Sequence, residues 1–89
     1  MKKENQRGIL KMAAYDFKDM NYSSRIIETE DGNLELEVTR DFIKKVTKRY
    51  TVNDVIKMSL ENDGYVFGAI IDELSLICRQ KIKADFGTM

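Results

Sequence analysis

The stretch RIIETEDGNLELEV, residues 25–38, decides whether this chain contains a sheet. Asp31-Gly32 stands between two segments of alternating character. An Asp-Gly pair favours a two-residue type I′ turn, because glycine takes a positive φ without steric cost. That turn predicts an antiparallel hairpin in which Ile27 faces Leu36, Thr29 faces Leu34 and Arg25 faces Val38. One face is then mostly apolar. The other sets Glu28 against Glu35 and Ile26 against Glu37. Like charges directly opposite each other are unfavourable, so either a bulge shifts the register or a cation sits over that face. A lone two-stranded hairpin is marginal in water and has to lie on helices or gain strands from another chain.

Downstream, Thr39 is an N-cap for a helix over Arg40–Tyr50. Phe42, Ile43, Val46 and Tyr50 make its apolar side. Arg40, Lys44 and Lys48 recur at steps of four on the opposite side, with Lys45 and Arg49 beside them. Thr51-Val52-Asn53-Asp54 reads as a capping box that opens a helix over 52–62, with Val52, Val55, Ile56 and Leu60 as its stripe. Asn62-Asp63-Gly64 closes that helix with a glycine suited to a left-handed cap. The most apolar segment follows, a helix over 65–84. Phe67, Ile70, Ile71, Leu74, Ile77, Cys78 and Ile82 share its core face. Gly68, Asp72, Ser75, Arg79 and Lys83 form its solvent stripe.

Upstream, residues 5–20 read as an amphipathic helix: Ile9, Ala13, Phe17 and Met20 share a side that Leu10 and Ala14 widen. Lys3, Arg7 and Lys11 lie on another side, and Asn21 to Ser24 form a loop. The expected fold is one small α+β domain over 1–89: an N-terminal helix, a two-stranded antiparallel hairpin, then three helices.

Lysine plus arginine and aspartate plus glutamate both total 15, so the net charge is zero, which argues against a uniformly basic nucleic-acid or membrane binder. A chain of 89 residues buries only about 60–65% of its unfolded surface, so a partner adds much to its stability. Cys78 is the only cysteine and sits among apolar residues, which reads as a buried small hydrophobe in a reducing, cytoplasmic setting. Met1-Lys2-Lys3 is not followed by the apolar run of a signal peptide, and the run 65–78 is too short and too charged to span a bilayer.

Two charged clusters are candidate binding faces. Arg40, Lys44, Lys45, Lys48 and Arg49 form a basic face that could neutralise phosphates by releasing counterions or meet a protein partner. Glu28, Glu30, Asp31, Glu35 and Glu37 form an acidic face suited to a basic protein surface. Their spacing matches no EF-hand, and alternating strand residues point to opposite faces, so no metal site is expected. The chain has no histidine, and its one cysteine therefore lacks the usual catalytic partner. Asp72-Glu73 diverge by about 100° on a helix and do not act as paired carboxylates. Neither catalysis, a cofactor nor a small-molecule substrate is expected.

Residues 33–62, in strand–helix–helix order, loosely resemble the ribbon-helix-helix DNA-binding dimers. The resemblance implies a strand from each subunit in the major groove. Glu35 and Glu37 on that strand oppose it, since flanking phosphates repel carboxylates, and no residue is carried over. A helix-turn-helix through 52–60 and 65–74 would make its recognition helix from the most apolar segment, which suits a core better. The function expected is therefore a non-enzymatic regulatory or inhibitory protein-interaction module, a homodimer. The alternative is a DNA-binding regulator using the basic residues of 40–49.

Overall fold

The computed structural model describes residues 2–14, 17 and 21–87. Helix α1 (Lys3–Ala14) leads into strands β1 (Tyr22–Glu28), β2 (Leu34–Phe42) and β3 (Lys44–Thr51), followed by helices α2 (Val52–Glu61) and α3 (Val66–Gly87). The strands form one antiparallel sheet in the order β1-β2-β3. All three helices pack on one of its faces: α1 over β1 and β2, α3 over β3, and α2 against both of the other helices. The class is α+β as expected, but the order of elements is not.

The correction lies in residues 40–50. The segment read as a helix is the end of β2, a tight turn and β3. Phe42, Val46 and Tyr50 recur every four residues, and four is also a multiple of the strand period of two, so the apolar pattern fits both structures. Local composition then favours the strand, because Val46, Thr47, Tyr50 and Thr51 suit a pleated, half-buried surface. The third strand also resolves the marginal stability of a two-stranded hairpin from within the same chain. Residues 33–62, on which the ribbon-helix-helix resemblance rests, are therefore strand–strand–helix and not strand–helix–helix.

The hairpin register is corrected as well. Ile26 pairs with Leu36, Ile27 with Glu35 and Glu28 with Leu34, one residue away from the expected alignment. The turn is longer than Asp31-Gly32: Thr29 N–H donates to Asn33 O at 2.8 Å, and Gly32 N–H donates to Thr29 O at 3.0 Å. Gly32 takes φ 80°, completing the three-residue loop with a left-handed glycine that is the next commonest hairpin connection. The shift removes the Glu28–Glu35 clash. It also places Ser24, Ile26 and Glu28 in line with Val38, Leu36 and Leu34 on the helix side. Tyr22 to Ser24, read as loop, belong to β1.

The core joins Leu10, Phe17, Leu36, Val38, Val46, Ile70, Leu74 and Cys78, all at most 2% exposed. Phe17 stacks its ring near Tyr22 and Phe67, with centroids 5.8 and 5.0 Å away, and so ties together both layers. Buried Gln6 accepts a hydrogen bond at 2.9 Å from Leu34 N–H, anchoring α1 on the start of β2. The helix expected over 5–20 spans Lys3–Ala14, and the remainder of that range, Phe17 apart, lies outside the described residues. The capping box of α2 forms as read: Asp54 N–H donates to Thr51 Oγ1 and Thr51 N–H to Asp54 Oδ2, both at 3.0 Å. Gly64 takes φ 86°, and its N–H donates to Ser59 O. On α3, Ile70, Leu74 and Cys78 are buried, with Phe67, Ile71, Ile77 and Ile82 packed beside them. Burial of these residues leaves no recognition helix at this position.

Candidate functional site

Strand periodicity divides the cluster of five cations. Residues of β3 alternate between the helix side and the uncovered outer face. Lys44 and Lys48 share the helix side with Val46 and Tyr50, while Lys45 and Arg49 share the outer face with Thr47. Arg40 pairs with Val46 on the helix side, and its guanidinium lies 5.4 Å from the Phe42 ring. Lys44 forms an ion pair with Asp85 and Lys48 with Glu73, both carboxylates from α3. Lys48 also lies 5.5 Å from the Tyr50 ring. The two lysines thus fasten α3 along the edge strand. The structure does not bring the five together as one basic face.

The five acids are divided too. Glu28 is paired with Lys3 of α1, which holds its carboxyl below the usual range. Glu30 and Asp31 occupy the exposed β1–β2 turn. Glu35 and Glu37 point from β2 to the outer face. Glu37 sits between two arginines, 2.7 Å from Arg25 Nε and 3.2 Å from Arg49 Nε. These donors lower its pKa, Arg25 most. A cation does cover this face, but it comes from the sheet itself. The row Arg25–Glu37–Arg49 runs straight across all three strands. Beside it, Thr39 and Thr47 share a 2.9 Å hydrogen bond. The outer face is therefore electrically balanced, which suits neither a phosphate backbone nor a single-sign protein patch.

Sequence reasoning missed where the large apolar side chains emerge. Among the described residues, Met12, Leu60, Tyr65, Leu76 and Phe86 on or beside the helices are between 50% and 80% exposed, as is Ile43 in the β2–β3 turn. An apolar groove of about 300 Å³ runs between α1 and α2, lined by Ile9, Met12, Ile56, Leu60 and Phe67 among others. A second concavity, about 570 Å³ and polar, lies between Gln6, Asn33, Arg49 and Asn53. No group of three or more histidine, cysteine or acidic side chains stands ready to hold a metal ion among the described residues. Nor is any helix among them long and apolar enough to cross a membrane.

Comparison with known proteins gives no family: no protein-family model, no curated protein and no solved structure matches this chain.

Proposed function

We propose that the chain is a non-enzymatic protein-interaction module, regulatory or inhibitory in kind, that binds through its helical layer. The carrying observation is the exposure of Met12, Leu60, Tyr65, Leu76 and Phe86 on that layer. Apolar area gathered on one side of a small domain marks a contact surface rather than chance exposure. The charged residues support the reading from the other direction. Lys44, Lys48 and Arg49 are engaged by carboxylates of the same chain. Duplex binding would have to break those pairs, leaving Lys45 as the cation of that set with neither an ion pair nor a ring contact among the described residues. The partner we infer first is a second copy of the chain. A cytoplasmic setting goes with this reading, since Cys78 is buried and unpaired.

Fluorescence anisotropy of a labelled mixed-sequence duplex, titrated at low and at physiological salt, separates the two classes. We expect no saturable binding in either buffer. Binding that falls steeply with salt, and is lost on charge reversal of Lys45 and Arg49, would replace this reading with nucleic-acid recognition.

A further inference from the structure

We propose that the outer stripe of α3 is a self-complementary seam through which two copies of this chain pair, antiparallel, about a twofold axis near Leu76. This names the partner and surface of the protein-binding reading above and rests on it.

The stripe follows from spacing. Tyr65, Ala69, Asp72, Leu76, Arg79 and Phe86 follow one another at steps of four, three, four, three and seven, with Lys83 filling the last interval. That is the 3.5-residue repeat of a helix seam. Leu76 lies two residues from both Leu74 and Cys78, about 200° around the helix from the buried face. Tyr65 is 57%, Leu76 50% and Phe86 67% exposed, three of the large apolar side chains that the described residues present to solvent.

A twofold interface must match itself, each residue meeting its mate on the other copy. Laid antiparallel, this stripe does so at every position. Leu76 meets its own copy at the axis. Asp72 of each helix faces Arg79 of the other, giving two symmetric ion pairs. Ala69 lies under the aliphatic stem of Lys83, and Tyr65 meets Phe86 at each end. A parallel arrangement would instead oppose Asp72 to Asp72 and Arg79 to Arg79, so charge selects the antiparallel one. Tyr65 is already placed for this contact. Its ring lies over Gly68, where a Cβ would be 2.6 Å from Tyr65 Cε1.

The surface area agrees. The chain exposes 6320 Å². A compact monomer of 10.3 kDa exposes about 5,400 Å². The excess, roughly 900 Å², is close to the area one partner contributes to a standard interface, about 800 Å². Part of it lies on the last turns of α3, where Arg79 to Lys81 and Lys83 to Phe86 are exposed. A 22-residue helix is about 33 Å long, sufficient for a seam of that area.

The test is sedimentation equilibrium of the intact chain across a wide concentration range, with far-UV circular dichroism on each variant to confirm folding. The wild type should reach twice the chain mass. Leu76→Asp, which brings two carboxylates together on the axis, should raise the dimer Kd at least about tenfold. Asp72→Arg and Arg79→Asp should each weaken the dimer, and the two together should restore it, because the swapped pair is again complementary. That restoration distinguishes the seam from a general loss of folding. A chain that stays monomeric throughout overturns the proposal. So does a dimer indifferent to Leu76→Asp and to the charge swap, which would move the contact to another surface such as the β1 edge. A monomeric chain would remove a second copy as the partner but leave the protein-binding class standing, which falls on duplex binding instead.

Discussion

Tyr50 carries the least satisfied polar atom in the core. The residue is 2% exposed, and its Oη has no hydrogen-bond partner among the described residues. Burial, and secondarily Asp54, pushes its pKa up to about 12 from 10.0. A raised folded pKa means that the neutral phenol is favoured in the folded state. Its ionisation costs the fold nothing below pH 10, and stability is lost as pH rises from 10 toward about 12, because the unfolded chain ionises first. Tyr50→Phe should therefore stabilise the protein by about 1 kcal/mol near neutrality, and the gain should widen above about pH 10, read by urea denaturation at both pH values. Glu37 has the opposite sign. Its carboxyl is held below the usual 4.5 by Arg25 and Arg49. The stability it contributes is present above that value and disappears as pH falls through the lowered one. Glu37→Gln should be less stable than wild type at neutral pH, and the two denaturation curves should converge in acid.

Among the elements, β3 shows where sequence reading reaches its limit. The presence of a hairpin though not its register, the helices over Val52–Glu61 and Val66–Gly87, the capping box and the core face of α3 are legible, because each rests on a single period, turn or cap with one meaning. Residues 40–50 are not, since Phe42, Val46 and Tyr50 satisfy two periods at once. Their cations, spaced by four, mimic a solvated helix face while lying on a strand. The two turns bracketing β2 make a matched test of the sheet. Gly32 has φ 80° and Ile43 has φ 65°, a conformation that a β-branched residue rarely adopts. Ile43 is 73% exposed, so its side chain contributes little packing. Ile43→Gly should raise stability by up to about 1 kcal/mol, and Gly32→Ala should lower it by about 1 kcal/mol. Thermal denaturation of the two variants should move the midpoint in opposite directions.

At the scale of the whole molecule, the shape is elongated. Its radius of gyration is 14.1 Å, against about 12 Å for a compact chain of 89 residues. The candidate surface is only half legible in the sequence. The sequence shows charge clusters, but which charges neutralise one another depends on strand pairing between residues far apart, as in Arg25–Glu37–Arg49. The outer stripe of α3 was visible as a polar face, yet its apolar members at Tyr65, Leu76 and Phe86 acquire meaning only once the opposite face is seen to be filled. If the seam pairs two copies, the thermal midpoint should climb with protein concentration in the wild type and stay constant in Leu76→Asp. The position of Cys78 has a further use. Its Sγ is sealed between the two layers, 4.0 Å from Lys44 O. A thiol reagent can reach it only when α3 lifts away from β3. The labelling rate of the unmodified protein is thus a built-in clock for interlayer opening, ticking without any engineered probe.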